Sequence, residues 1–178
     1  GLVAFFLEST FIGLWIFGWG RLPKLLHLAC IWIVAIAVNL SAFFIIAANS
    51  FMQHPVGAHY NPETGRAELH SIGALFSNNT AQAAVSHTIA GAFLTAGTFV
   101  AAVCAWWMVR SRTEFSGTDP QAGEAGDHDV RTMYRPATIL GCWVALAAAF
   151  GLFVTGDIQG KLMFQQQPMK MASAESLC

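Results

Sequence analysis

The chain has 178 residues, of which 55% are apolar and 11% are charged, with a formal net charge of -1 and a mean hydropathy of +0.52. Soluble domains usually carry about 25% charged residues. The composition therefore excludes a disordered chain, a disulfide-stapled mini-protein and a basic nucleic-acid-binding protein. It indicates an all-α membrane protein that crosses the bilayer several times.

Charged side chains are missing from three long stretches of the sequence. No Asp, Glu, Lys or Arg lies at 25–62, 69–109 or 136–156. A helix needs about 20 apolar residues to cross the roughly 30 Å of hydrocarbon in a bilayer. Together with the apolar first segment, these stretches predict a transmembrane helical bundle of about four spans within residues 1–155. The spans are expected at 1–19, 27–51, 81–109 and 136–155.

The basic residues predict the orientation of these spans. Six of the nine Lys and Arg residues lie in the segments 20–26 and 110–135. Because Lys and Arg are enriched in cytoplasmic loops, we place both segments in the cytoplasm. Residues 52–80 then form an outer loop, and residues 156–178 are external. The stretch 111–133 is rich in glycine and acidic residues, which predicts a flexible loop.

Both ends of the sequence suggest a piece of a longer polypeptide. It opens inside an apolar helix without an initiator methionine or a basic leader, and it ends after a polar stretch. We therefore expect that some partners of a site in this chain lie outside it.

Glu8 is an ionisable residue inside the first predicted span. Counted from the cytoplasmic end of the helix, it lies about 16 Å deep, near the middle of the membrane. Ser9, and Ser41 on the second span, could offer hydroxyls at a similar depth. A carboxyl in this position fits a proton relay, and it fits equally a protonated Glu that makes a structural hydrogen bond between helices.

His87 is the second ionisable group in hydrocarbon, near the outer end of the third span. Its helical neighbours at three and four residues are all small: Ala83, Ala84, Ala90 and Gly91. Such clearance suits an imidazole that binds the iron of a planar macrocycle, and it equally suits close packing of membrane helices. From the residues alone, a packed histidine is the more frequent case.

The remaining polar residues carry weaker signals. Lys170 and Glu175 lie on a predicted amphipathic segment, which is either a surface helix or a site for the headgroup of a lipid-soluble substrate. Asn39 and Asn49 are expected to join helices to one another. Three histidines of the outer loop are expected at a surface or interface: His54, His59 and His70. Four cysteines are expected to fill space as small apolar residues: Cys30, Cys104, Cys142 and Cys178.

Several longer motifs resemble one known family. They are Phe5-Phe6-Leu7-Glu8-Ser9-Thr10-Phe11, Phe17-Gly18-Trp19, Asn39-Leu40-Ser41-Ala42, Asn49-Ser50-Phe51-Met52-Gln53-His54-Pro55, His87-Thr88, Gly156-Asp157-Ile158-Gln159-Gly160 and Gln167-Pro168-Met169-Lys170-Met171. The chain resembles the central part of subunit I of cytochrome bd-type quinol oxidase, over essentially all 178 residues.

The resemblance implies a respiratory terminal oxidase of the bacterial or archaeal cell membrane that oxidises quinol and reduces dioxygen to water. It implies that His87 binds the iron of a low-spin haem b, and that Glu8, Ser9 and Ser41 belong to a proton path. Lys170 and Glu175 would bind quinol at the start of an external quinol-binding loop. A second haem b, a haem d, a second subunit, small accessory subunits and membrane lipid are expected around the full-length protein.

One position departs from the family pattern. Relatives often carry an acid directly after Phe-Gly-Trp, at the cytoplasmic mouth of the proton path, whereas this chain has Gly20. The sequence leaves two other function classes open: a multi-pass proton-coupled transporter or channel without a redox cofactor, and a purely structural membrane subunit.

Overall fold

The computed structural model describes the backbone of residues 1–114 and 126–176, with side chains described for 1–111 and 126–176. Long helices dominate these residues. The elements are α1 (Leu2–Phe17), α2 (Lys24–Gln53), β1 (Ala58–Asn61), β2 (Arg66–Leu69), α3 (Ile72–Phe76), α4 (Asn79–Glu114), a π-helical turn (Val130–Tyr134), α5 (Arg135–Gln166) and α6 (Pro168–Ala174).

Three helical stretches are long and apolar enough to cross a membrane: Lys24–Gln53, Asn79–Ser111 and Gly126–Gln166. A shorter apolar helix, Leu2–Phe17, precedes them. Within the most apolar 18-residue segment of each of these three stretches, only 17%, 6% and 11% of the residues, in chain order, are buried. The apolar side chains thus lie on the surface of the helices, where lipid or other protein can cover them. The predicted all-α transmembrane bundle with about four spans is confirmed.

The described residues divide into two compact units. The first consists of Gly1–Val85 and Gln159–Cys178. In it α1 and α2 pack as an antiparallel pair, with Gly1 beside Phe44 and the Trp15 ring stacked on His27 at 5.7 Å. Pro55 ends α2, since a residue that precedes proline disfavours the helical conformation.

An antiparallel hairpin in the first unit connects α2 to the short helix α3. Ala58 pairs with Leu69 and Asn61 with Arg66, across a turn in which Gly65 has φ +65°. The sequence analysis did not predict these two strands. They occupy part of the segment 52–80, whose outer location stays a prediction.

The second unit, Ser86–Ile158, contains most of α4 and α5. The two helices lie close together at Gly97 and Gly141. A Cβ on Gly97 would lie 2.8 Å from the Gly141 carbonyl oxygen, and a Cβ on Gly141 would lie 2.7 Å from the Gly97 carbonyl oxygen. Only glycine at both positions permits this approach, as in other close crossings of membrane helices.

The predicted flexible loop at 111–133 is wrong at both of its ends. Helix α4 continues to Glu114, and the chain is helical again from Gly126. The segment 115–125, the Arg112 side chain and Cys178 lie outside the described residues.

The last long helix also exceeds its predicted span. The sequence predicts that the fourth span ends near Thr155, whereas α5 continues without a break to Gln166. The limits of the membrane and of the external segment 156–178 stay predictions, because a helix can extend beyond the bilayer.

Candidate functional site

His87 lies on α4 in the second unit and faces α5. Its Nδ1 atom is 3.1 Å from the hydroxyl oxygen of Thr155 on α5. Both side chains are half-buried. The Nε2 atom has no hydrogen-bond partner among the residues whose side chains are described. One ring nitrogen is therefore held by the protein, and the other remains available to a ligand.

The space around the His87 ring depends on small residues of both helices. A Cβ on Gly156 would lie 3.3 Å from Cε1 of the His87 ring, closer than an ordinary contact. One turn further along α4, Ala90 lies against Gly151 and Gly91 lies near Leu152. Ala90, one of the small residues predicted next to His87 on α4, thus faces Gly151 on α5, and the His87 ring itself faces Gly156.

An apolar groove of about 460 Å³ runs along the same pair of helices. Thr155, the hydrogen-bond partner of His87, forms part of its wall. Other lining residues are Ser86, Ala90, Phe93, Ala148 and Gly151. An apolar wall with few polar groups is typical of sites for hydrophobic cofactors and ligands.

Glu8 lies on α1 in the first unit and is half-buried. Gly1 of the first segment lies beside Phe44 of α2, and this contact sets a common level for the two antiparallel helices. Measured from that level in the same direction, Glu8 lies about 10 Å along α1 and Ser41 about 5 Å along α2. The two residues thus lie about one helical turn apart in depth. In the described part of the chain no hydrogen bond joins them.

Ser9 is exposed, and its hydroxyl donates to the carbonyl of Phe6 in the same helix at 3.2 Å. The structure therefore does not bring Glu8, Ser9 and Ser41 into one hydrogen-bonded chain. Gly20, the position at which the resemblance leads us to expect an acid, has φ +73° in the turn after α1. A side chain would be strained in this conformation, so the turn geometry accounts for the glycine.

Lys170 lies on α6 and Glu175 is the residue that caps its C-terminus. Both side chains are exposed, and no ion pair joins them within the described residues. They stand apart from Glu8 and His87 along the chain. The arrangement offers one ammonium group and one carboxylate to a partner outside the chain.

A group of buried polar side chains holds the start of α6 in the first unit. Gln167 donates from Nε2 to the carbonyl of Gln53 at 2.9 Å, and Thr80 donates to Gln166 at 2.5 Å. Asn78 is 2% exposed and donates to the carbonyl of His54 at 3.0 Å. These bonds connect α6 to the ends of α2 and α4, and so position Lys170.

The sequence analysis missed this polar group. The sequence does contain a feature that could have indicated it: the run Asn78-Asn79-Thr80 just before an apolar helix, which is typical of a helix N-terminus. Asn78 indeed accepts from the Thr80 backbone N–H at 3.0 Å. Buried in the same place is Nδ1 of His54, which has no partner among the described side chains.

Two asparagines of α2 bond within their own helix. Asn39 donates to the carbonyl of Ala35, and Asn49 accepts from Gln53. Both side chains are exposed, and their role in joining helices stays a prediction. The hairpin histidines His59 and His70 are exposed, as expected.

Fold and site together define a multi-pass helical membrane protein with a histidine and a glutamate inside its apolar helices. The family model described as cytochrome bd terminal oxidase subunit I matches residues 1–178. The chain therefore belongs to the cytochrome bd terminal oxidase subunit I family and is a multi-pass protein of the cell membrane.

Individual relatives agree with this family. The chain is 39% identical over 176 residues to cytochrome bd ubiquinol oxidase subunit 1 of Bacillus subtilis (strain 168), covering 99% of this chain and 34% of that protein. It is 36% identical to cytochrome bd-II ubiquinol oxidase subunit 1 of Escherichia coli (strain K12), covering 98% and 30%. The chain thus spans about a third of these relatives.

A solved structure shares the fold. The bd oxidase from Geobacillus thermodenitrificans aligns with a TM-score of 0.70 and 26% sequence identity. The alignment covers 98% of this chain and 36% of that one.

Proposed function

We propose that this chain is part of the haem-bearing subunit of a respiratory terminal oxidase that oxidises quinol and reduces dioxygen to water. Family membership supports the class. One observation supports His87 as the haem ligand: its Nδ1 is hydrogen-bonded to Thr155, while its Nε2 has no partner among the described side chains. An imidazole held by one nitrogen and open at the other is typical of a metal ligand.

The residues present fit a haem better than a bare metal ion. Among the described residues, no three His, Cys, Asp or Glu side chains come together as a metal site. Iron at His87 would therefore have to bring its other ligands with it, as a porphyrin does. Small residues surround the imidazole, and an apolar groove along α4 and α5 is lined by its hydrogen-bond partner Thr155, although not by His87 itself.

His87 would hold a low-spin haem b, which supplies one-electron transfer from quinol toward the site of dioxygen reduction. The protein contributes the ligand, its orientation and an apolar surrounding. A second haem b and a haem d are expected in the full-length subunit, on residues outside this chain.

Lys170 and Glu175 would bind the quinol headgroup. The Lys170 ammonium can donate to a quinol oxygen, and the Glu175 carboxylate can accept the proton that a quinol hydroxyl loses. Both groups are exposed on a helix whose start is held by Gln167. Quinol oxidation would therefore release its protons on the outer side.

Glu8, with Ser9 and Ser41, would deliver protons from the cytoplasm for water formation. Of the three side chains, the half-buried Glu8 carries the carboxyl group, whereas Ser9 and Ser41 carry hydroxyls. Since Glu8 and Ser41 lie about one helical turn apart in depth, a water molecule would have to carry the proton between them. Uptake on one side and release on the other would build a membrane potential.

The full-length subunit would act with a second oxidase subunit, small accessory subunits and lipid. The large apolar side chains exposed on the helices support such coverage, for example Phe150 at 71% and Phe153 at 77%.

Replacing His87 tests the proposal. In the full-length subunit within its complex, His87→Ala should remove the low-spin haem b absorption from the reduced-minus-oxidised spectrum while the protein still inserts. His59→Ala, an exposed hairpin histidine, should leave the spectrum unchanged. An unchanged spectrum for His87→Ala would overturn the haem assignment. A transporter without a redox cofactor would show no haem spectrum even in the unmodified protein.

A further inference from the structure

The Thr155 hydroxyl lies between the His87 ring and the backbone of its own helix. Its oxygen is 2.8 Å from the Gly151 carbonyl oxygen, 3.5 Å from the Leu152 carbonyl oxygen and 3.1 Å from His87 Nδ1. A hydroxyl has a single hydrogen, and a carbonyl oxygen can only accept. Donation of the Thr155 O–H to Gly151, its shortest contact, leaves the Thr155 oxygen to accept from His87. In this arrangement Nδ1 of His87 is the protonated nitrogen.

This tautomer leaves Nε2 with the free lone pair. A neutral imidazole carries a proton on one nitrogen only, and the other nitrogen is then a hydrogen-bond acceptor or a metal ligand. Histidines that bind metals almost always donate their second N–H to a fixed acceptor, which sets the tautomer and the ring orientation and raises the basicity of the ligand. Thr155 is such an acceptor.

Gly156, the next residue, allows the ring to remain in this position. A Cβ there would lie 3.3 Å from Cε1 of His87, the ring carbon between the two nitrogens. Thr155 thus holds the His87 ring through its hydroxyl, and Gly156 leaves room for the ring because it has no side chain.

We propose that Thr155 is the positioning residue of His87, which keeps the proton on Nδ1 and presents Nε2 to the iron of haem b. This inference rests on the proposed haem ligation by His87. Thr155 does not touch the iron itself; it acts through the imidazole.

Two substitutions separate the hydroxyl from the shape of the side chain. Thr155→Val removes the hydroxyl and keeps the branching, whereas Thr155→Ser keeps the hydroxyl. Thr138→Val is the matched control. Thr138 on α5 makes the same kind of bond to the carbonyl four positions earlier, that of Tyr134 in the π-helical turn, at 2.8 Å, and no imidazole partner is found for it among the described side chains. All variants are made in the full-length subunit within its complex.

The readouts are the midpoint potential of the low-spin haem b and the rate at which this haem transfers to excess apomyoglobin. Thr155→Val should make the potential more positive, because the imidazole loses its hydrogen-bond acceptor and donates less electron density to iron. Loss of an outer hydrogen bond typically weakens metal binding by 10–100-fold, so haem transfer should accelerate by about 10-fold or more. Thr155→Ser should resemble the unmodified protein in both measurements.

Thr155→Ala provides a second hydroxyl-free variant if Thr155→Val does not assemble. A potential and a transfer rate equal to those of Thr138→Val in the assembled hydroxyl-free variant would overturn the inference. His87→Ala distinguishes this outcome from failure of the proposed function. If it removes the low-spin haem while the hydroxyl-free variant matches its control, only the role of Thr155 is wrong; if it keeps the haem, the ligation itself is wrong.

Discussion

The backbones of Gly97 and Gly141 approach so closely that a Cβ on either would come within 3 Å of the opposite helix. This crossing lies between α4 and α5, the two helices that carry His87 and Thr155. The glycine pair therefore helps to hold together the two helices whose side chains meet at His87 and Thr155.

Enlarging this crossing should loosen the His87 site. Gly141→Val should destabilise the packing of α4 on α5 by about 1–3 kcal/mol, because a side chain is forced into a filled space. Haem b content per subunit should fall with it. Gly160→Ala on the same helix is the control, since its Cβ would meet nothing within 4 Å. Equal haem content in the two variants would contradict the role of the glycine pair.

Asn78 should contribute strongly to stability at the ends of α2 and α4. It is buried, caps α4 through the Thr80 N–H and donates to the His54 carbonyl. Asn78→Ala should cost about 1–3 kcal/mol, because buried polar groups lose their partners. Thermal unfolding of the purified complex measures this loss.

Two variants make the Asn78 measurement specific. Asn78→Asp keeps the oxygen that accepts from Thr80 but places a carboxylate oxygen against the His54 carbonyl, so it should also destabilise the complex. Asn79→Ala changes the exposed neighbour and should leave the unfolding temperature nearly unchanged. The assignment fails if Asn78→Ala and Asn79→Ala unfold at the same temperature.

Glu8→Gln should slow oxygen consumption with quinol by on the order of 100-fold, because a positioned acid–base group typically contributes 10²–10⁴-fold. Glu8→Asp should recover part of the rate, since it retains a carboxyl group. Glu63→Gln, an exposed acid in the hairpin turn, is the control. Normal turnover in Glu8→Gln would show that Glu8 is a structural hydrogen-bonding residue.

Lys170→Ala should raise the apparent KM for quinol by about 10-fold, as expected when a charge-assisted hydrogen bond worth about 1.5 kcal/mol is lost. The maximal rate should change less than the KM. Lys161→Ala, which removes a cation from neighbouring α5, serves as the control. A KM equal to that of the control would indicate that Lys170 is a surface lysine.

The sequence predicted the long helices well, because their signal is the absence of charge over about 20 residues. It did not predict where α5 ends. Asp157 and Lys161 mark the end of the apolar stretch, but they are four residues apart, a spacing that suits a helix. No proline lies between Asp157 and Pro168. Loss of apolarity signals the end of a membrane span rather than the end of a helix.

The sequence predicted single residues of the candidate site but not which of them meet in the structure. His87 stands out because an ionisable group in hydrocarbon is costly. Its partner Thr155 is 68 residues away and is one of many threonines that could simply bond to their own helix. The pairing arises from the close packing of α4 and α5, which a single sequence does not reveal.

Rescue by free imidazole tests the central claim, ligation of haem b by His87, most directly. His87→Gly in the full-length subunit within its complex should lose the low-spin haem b band. Adding imidazole should restore the band, because the small molecule can occupy the space left by the side chain. A low-spin band of full intensity in His87→Gly without imidazole would contradict the account.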